Sequence, residues 1–155
     1  MRKKQYQISE IEDESVKISA HFLVGKISNC RTVLQRALRD HGSKAELEKL
    51  NLTIKRLAYY LDLLKDLHPL DMIRGYEGEA AHSYFDVFDR LIVAQKESFS
   101  FAERNRRPPL DNVNALLSFI YTLLMHDIRS ALEGVGLDPA VGFLHRDRPG
   151  RPGLA

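Results

Sequence analysis

Apolar residues recur at helical spacing in four segments of the chain, and no segment shows the alternation of a convincing strand. The first segment, residues 14–40, carries its apolar positions at Ile18, Phe22, Leu23, Ile27, Cys30, Leu34 and Leu38. A glycine just after the last apolar position is typical of a helix C-terminus, and Gly42 stands there. This pattern predicts a long amphipathic helix that buries one face.

Two further helical segments follow. The second opens on a capping-box pattern at residues 43–46 and ends before Pro69. Its apolar face consists of Leu47, Leu50, Ile54, Leu57, Leu61 and Leu64. The third begins near Leu70, is interrupted around Gly75 and Gly78, and continues to Ile92. Because a glycine costs a helix about 1 kcal/mol relative to alanine, we expect the backbone there to approach another group closely.

A polar, arginine-rich loop over residues 99–111 precedes the fourth segment. Asp111 is a favourable N-cap for a helix over about 112–133, and Gly134 and Gly136 would end it. The stripe expected to be buried is Val113, Leu116, Leu117, Ile120, Leu124, Ile128 and Leu132. The four segments predict an all-α fold, an irregular helical bundle in which residues 1–155 form one domain.

Composition narrows the class of protein. The chain has 44% hydrophobic and 28% charged residues and a net charge of +2, all ordinary for a soluble globular protein. No apolar run approaches the roughly 18 residues of a membrane span, and no signal peptide precedes the first helix. A single cysteine, Cys30, excludes an internal disulfide. We therefore expect a cytoplasmic protein with no membrane association, and Cys30 as a small buried apolar side chain.

Two places carry candidate chemistry. Glu77 lies between Gly75 and Gly78, and His145 ends a compact apolar turn over residues 137–144. A carboxylate and an imidazole from distant parts of a chain can share a divalent cation, and such a site suits Mn²⁺ or Mg²⁺. Glu77 could equally interact with the positive end of its helix. His145 could equally be an exposed loop residue or a hydrogen-bonded core histidine.

Basic residues cluster at 104–107 and again at Arg146, Arg148 and Arg151, where they could meet phosphate or form solvated loops. Three stretches then matter together: MIRGYEGEAAHSYF at 72–85, RRPPLDNVNALLSF at 106–119 and ALEGVGLDPAVGFLH at 131–145. In order and spacing they resemble the CRISPR-associated integrase that captures new spacers (the Cas one family), in a form like that of type I-C systems. The resemblance covers the chain from about residue 17.

The resemblance implies a function and a site. It implies a metal-dependent DNA endonuclease/integrase that inserts spacers by transesterification, with Glu77 and His145 as catalytic ligands of Mn²⁺ or Mg²⁺. Arg106, Arg107, Arg146 and Arg148 would contact the DNA backbone, and Asn114 would have a positioning role. The partners would be protospacer and CRISPR-repeat DNA, a second copy in a homodimer, and the small acquisition partner, Cas two.

The family's third ligand, an aspartate, is expected about a dozen residues after the histidine, beyond Ala155. The family's N-terminal β-domain is also not in this sequence. We therefore expect the chain to be part of a longer catalytic domain and to be catalytically incomplete. The alternative is a non-catalytic helical fragment that binds DNA or another protein.

Overall fold

The computed structural model describes residues 1–40, 44–145 and 152–155. These ranges contain helices and no strand, which confirms the all-α prediction. The helices are α1 (Arg2–Ser9), α2 (Glu12–Asp40), α3 (Lys44–Leu63), α4 (Leu70–Phe85), a 3₁₀ turn (Phe88–Leu91) and α5 (Asn112–Gly134). None of the described helices is both long and apolar enough to cross a bilayer.

The core lies where α2, α3 and α4 pack on one another. Leu34 of α2, Leu57 of α3 and Ile73 of α4 are almost fully buried there. Phe22, predicted on the buried face of α2, is 62% exposed, because the neighbouring Leu23 points into the core instead. Burying one core side chain stabilises the fold by about 1.5–3 kcal/mol. The bundle of three helices therefore provides most of the apolar burial in the described chain, and it fixes α4 firmly in place.

The predicted interruption of the third helix is wrong. α4 runs without a break through Gly75 and Gly78. Apart from the backbone of the helix itself, no described atom of a neighbouring group lies within 4 Å of where a Cβ would stand on either glycine, so the expected close approach is not seen. Ile73 and Ala80 of the same helix are buried against the core, and this tertiary packing outweighs the low helix propensity of glycine.

The helix also ends earlier than predicted, at Phe85 rather than near Ile92. After the helix ends, contacts between aromatic rings hold the chain in place. Phe101 is buried and its ring centre lies 5.0 Å from that of Phe88 and 5.8 Å from that of Phe85. Asp89 Oδ1 accepts a hydrogen bond from Phe101 N at 2.9 Å. These contacts hold the start of the loop that leads to the arginines and α5.

The fourth helix has the predicted bounds but not the predicted burial. Asp111 caps it as expected, because its Oδ1 accepts a hydrogen bond from Asn114 N at 2.7 Å. Val113 is buried, whereas Leu116, Ile120 and Leu124 are each about half exposed. The predicted buried stripe is therefore largely wrong, since α5 makes few contacts with the other helices of the described ranges.

The structure adds one helix, α1, that the apolar pattern does not predict. It has eight residues and is mostly polar, and a helix this short is not stable alone in water. The remaining bounds agree closely: α2 begins two residues earlier than expected, and α3 ends before Pro69. The predicted stop at Gly42 and cap at Ser43 lie outside the described residues.

Candidate functional site

Glu77 lies on the side of α4 that faces α2. Its carboxylate Oε1 accepts a hydrogen bond from Lys26 Nζ at 2.5 Å, and its side chain is 23% exposed. Glu77 stands about two turns after Leu70, the first residue of α4, where the helix dipole no longer acts strongly. An interaction with the positive end of the helix therefore does not account for Glu77. A partly exposed ion pair of this kind is weak, so the carboxylate remains accessible to a more highly charged cation.

His145 is exposed at the end of the turn, which makes the interpretation as a core histidine wrong. The residue before it, Leu144, packs against the core and anchors the turn. Leu144 O accepts a hydrogen bond from Arg74 Nε at 2.6 Å. Arg74 stands one helical turn before Glu77, and residues three apart on a helix share a face. α4 therefore carries one predicted ligand and holds the backbone beside the other.

A cleft of about 510 Å³ opens beside His145. Its wall includes Glu10 from the link between α1 and α2, Glu12 from α2, and Asp71 and Arg74 from α4. Arg74 also forms an ion pair with Asp71 at 2.5 Å. Within the ranges that the structure describes, no group of three or more histidine, cysteine, aspartate and glutamate side chains is arranged to hold a metal ion.

The predicted donor set is therefore one carboxylate and one imidazole. An oxygen and a nitrogen donor fit Mn²⁺ or Mg²⁺, ions that keep several water ligands when the protein supplies few. Both side chains are accessible to solvent, which such a hydrated ion requires. The residues present thus fit a divalent cation as a partial set.

The start of the His145 turn is held by α1, a helix that the apolar pattern does not predict. The Gln5 side-chain amide donates to Asp138 O at 2.8 Å and to Val141 O at 3.0 Å, and its Oε1 accepts from Asp138 N at 2.7 Å. The Tyr6 hydroxyl donates to Asp138 Oδ2 at 2.6 Å. This bond raises the pKa of Tyr6 and lowers the pKa of the Asp138 carboxyl.

Asn114 is fully buried, and its side chain makes bonds to the arginine loop. Its Oδ1 accepts from Arg104 Nη1 at 2.8 Å and from Asn105 N at 3.1 Å. Its amide nitrogen donates to Glu103 O at 2.8 Å and to Asp111 Oδ2 at 2.6 Å. Asn114 therefore fixes the loop and the first turn of α5. A role toward DNA or metal stays a prediction.

The arginines of this loop divide into two kinds. Arg106 and Arg107 are exposed, as a contact with phosphate requires. Arg104 is half-buried, and its guanidinium lies 5.7 Å from the ring centre of Tyr121. Burial, and then the charge of Arg106, lower the pKa of Arg104, although an arginine stays protonated in proteins. The two other predicted DNA contacts, Arg146 and Arg148, lie outside the described residues.

Cys30 is half-buried and packs against the core, in agreement with its expected role as an apolar side chain. Burial raises the pKa of its thiol, which keeps the sulfur in its unreactive protonated form. The residues that sequence reasoning missed, Lys26, Arg74 and Gln5, are polar side chains within helices. Their spacing carries no signal, because each one acts on a residue far away in the chain.

Comparisons with known proteins identify the family of this chain. The family model described as CRISPR associated protein Cas1 matches residues 1–155. The chain is 53% identical over 155 residues to CRISPR-associated endonuclease Cas1 1 of Chlorobaculum tepidum, a match that covers 100% of this chain and 45% of the relative. The chain thus spans about half the length of that curated relative.

Solved structures give the same result. A chain of a Cas6-RT-Cas1–Cas2 complex matches with a TM-score of 0.78 and 27% identity, over 97% of this chain and 16% of that one. A casposase bound to integration product matches with a TM-score of 0.73 and 25% identity, over 97% of this chain and 42% of that one. The family model covers residues 1–155, and the relative that is 53% identical carries the same family name, so the chain belongs to the CRISPR-associated protein Cas1 family.

Proposed function

We propose that this chain is part of a metal-dependent DNA endonuclease/integrase that inserts new CRISPR spacers. One observation carries the proposal: α4 bears Glu77 and, one turn away, holds the backbone next to His145 through Arg74. α4 thus carries one proposed donor and fixes the backbone beside the other, although the two are distant in the sequence. The naming of the relative as an endonuclease, and of the casposase as bound to integration product, supports this function.

The proposed chemistry is a transesterification at phosphorus. Glu77 and His145 would hold a divalent cation, which would supply positive charge at the scissile phosphate. A 3′-hydroxyl of the incoming DNA loses its proton and forms the new P–O bond, while the bond to the leaving oxygen breaks and that oxygen takes up a proton. Arg106, Arg107, Arg146 and Arg148 bind the phosphates on either side, since guanidinium groups pair well with phosphate.

The proposed partners are protospacer and repeat DNA, a second copy of the chain in a homodimer, and a Cas2 protein. The complex named above pairs Cas1 with Cas2, and the casposase structure holds DNA, which supports the last partner and the first. The likeness to type I-C systems, the cytoplasmic location and the choice of Mn²⁺ or Mg²⁺ stay predictions.

Calorimetric titration of Mn²⁺ tests the proposed site. We expect weak binding to the chain and loss of binding in Glu77→Ala and in His145→Ala. Glu79→Ala and His126→Ala are the matched controls, because both side chains are exposed and lie on the helices α4 and α5. Equal binding by the site variants and the controls would show that Glu77 and His145 do not hold the ion.

Lys26 provides a second arm of the same experiment. The Lys26 ammonium forms an ion pair with the Glu77 carboxylate, so a metal cation must displace the ammonium before it can bind there. We expect Lys26→Gln to bind Mn²⁺ more tightly than the unchanged chain, and Lys17→Gln, which removes an ion pair with Glu14 elsewhere on α2, to leave the affinity unchanged. Weaker binding by Lys26→Gln would mean that Lys26 supports the site instead of competing for it.

The second candidate function is a non-catalytic helical fragment that binds DNA or a protein. The half-exposed apolar side chains of α5 favour it, since such surfaces mark interaction sites. The test is to titrate Mn²⁺ into this chain and into a version extended toward the length of the curated relatives. If neither protein binds Mn²⁺, the second function is better supported than the first.

A further inference from the structure

The turn that carries His145 has no regular secondary structure of its own from residue 137 to residue 145. A segment of this kind adopts one conformation only when contacts from other elements fix it. The structure provides such contacts from three separate segments of the chain. Each of them includes hydrogen bonds to the turn's backbone.

The first contact is the Gln5 amide of α1. Gln5 is 4% exposed and satisfies three backbone groups, the carbonyls of Asp138 and Val141 and the N–H of Asp138. All three hydrogen bonds of this buried side chain can form together in only one orientation of the turn. The neighbouring Tyr6 hydroxyl adds a bond to the Asp138 carboxylate.

The second contact is Arg74, which bonds Leu144 O immediately before His145. The third is the segment 152–155, which lies along the base of the turn. Gly153 N donates to Ala140 O at 3.3 Å and Leu154 N donates to Pro139 O at 3.0 Å. A Cβ on Gly142 would lie 2.5 Å from Gly153 O, so the two backbones can approach this closely only because both residues are glycine.

We propose that Gln5 and Arg74 are positioning residues that hold the His145 turn in register with Glu77. Gln5 fixes the base of the turn and Arg74 fixes its end, and Arg74 does so from the helix that carries Glu77. Residues that orient ligands in this way set the affinity of a metal site without touching the ion. The effect on metal affinity rests on the proposed function, whereas the contacts of Gln5 and Arg74 with the turn do not.

Amide hydrogen exchange tests the contacts directly. Gln5→Leu keeps the volume and removes all three bonds. We expect the amides of residues 138–144 to exchange about tenfold faster or more, while those of α3 are unchanged. Gln7→Leu is the matched control, because Gln7 is exposed on the same helix. Equal acceleration in α3, or no acceleration in the turn, would overturn the positioning role.

Paramagnetic broadening of NMR signals by Mn²⁺ tests the consequence. In the unchanged chain, signals of Glu77 and His145 should broaden together at one Mn²⁺ concentration. In Gln5→Leu and Arg74→Met, about tenfold more Mn²⁺ should be needed, as expected when residues that orient metal ligands are lost. Unchanged broadening in these variants would overturn the proposal. No broadening at either residue of the unchanged chain would instead overturn the proposed function, and the exchange experiment would still decide the role of Gln5.

Discussion

Helices α3 and α5 have similar apolar spacing but opposite environments. In α3 one apolar face is buried in the core, and Leu57 is 0% exposed. In α5 many of the apolar positions face outward, and Leu123 is 50% exposed. Spacing identifies which face of a helix is apolar, but another element must be present to cover that face. A helix with an apolar face can therefore form without that face being buried.

The difference arises from how each helix is attached. α3 lies between α2 and α4 and packs along much of its length. α5 is attached at its first turn, where Val113 and Asn114 are buried, and by the loop that precedes it. A helix apolar around most of its circumference is normally covered on several sides in a larger protein. Most of the free energy of burial among the described residues therefore comes from the three-helix core.

Replacement of a core leucine should give the largest effect on stability. We expect Leu57→Ala to lower the free energy of unfolding by about 2–5 kcal/mol, since it leaves a cavity where the surroundings cannot collapse. Leu52→Ala on the same helix is the matched control, because Leu52 is half exposed. Urea denaturation followed by circular dichroism measures both. Similar losses in the two variants would break the distinction between covered and uncovered faces.

The attachment of α5 can be tested at Asn114. Asn114→Ala removes one hydrogen bond each from Glu103 O, Asn105 N and the guanidinium of Arg104. We expect the free energy of unfolding to fall by about 1–3 kcal/mol. The arginine loop should also become a better substrate for trypsin, which cleaves after arginine. Asn112→Ala, which removes a single bond to Ser98 O, is the control. Unchanged cleavage in Asn114→Ala would show that the loop does not depend on this residue.

The sequence predicted the helices of this fold better than it predicted their packing. α2, α3 and α5 have nearly the expected bounds because their spacing and caps are local signals. α1 was missed because its stability comes from bonds to residues more than 130 positions later, such as that of Gln5 with Asp138. The stripe of α5 was wrong because no local pattern records whether a partner exists.

In the candidate site, too, local signals were predictable and contacts between distant residues were not. Glu77 and His145 were identified through the resemblance, and spacing alone left other interpretations open for both. The residues that support them could not be predicted, because the pairs are distant in sequence. Lys26 and Glu77 are 51 positions apart, and Arg74 and Leu144 are 70 apart. Only the packing of α2, α4 and the final turn brings these pairs together.

The smallest effect is expected on the outer face of α5. Leu123→Ala makes the same chemical change as Leu57→Ala, but at a side chain that is half exposed. Since little apolar area leaves water when Leu123 folds, the free energy of unfolding should change by less than about 0.5 kcal/mol. Helix propensity contributes little, because alanine and leucine are both strong helix formers. The measurement is urea denaturation at two protein concentrations that differ widely.

The concentration series makes this prediction decisive. If Leu123 is uncovered in solution, Leu57→Ala and Leu123→Ala should differ strongly, and neither difference should depend on protein concentration. A loss of about 2 kcal/mol or more in Leu123→Ala that grows with concentration would mean that a second copy covers α5, because mass action links association to stability. A similar loss independent of concentration would mean that α5 folds back onto its own chain in solution. Either result would remove the contrast between α3 and α5.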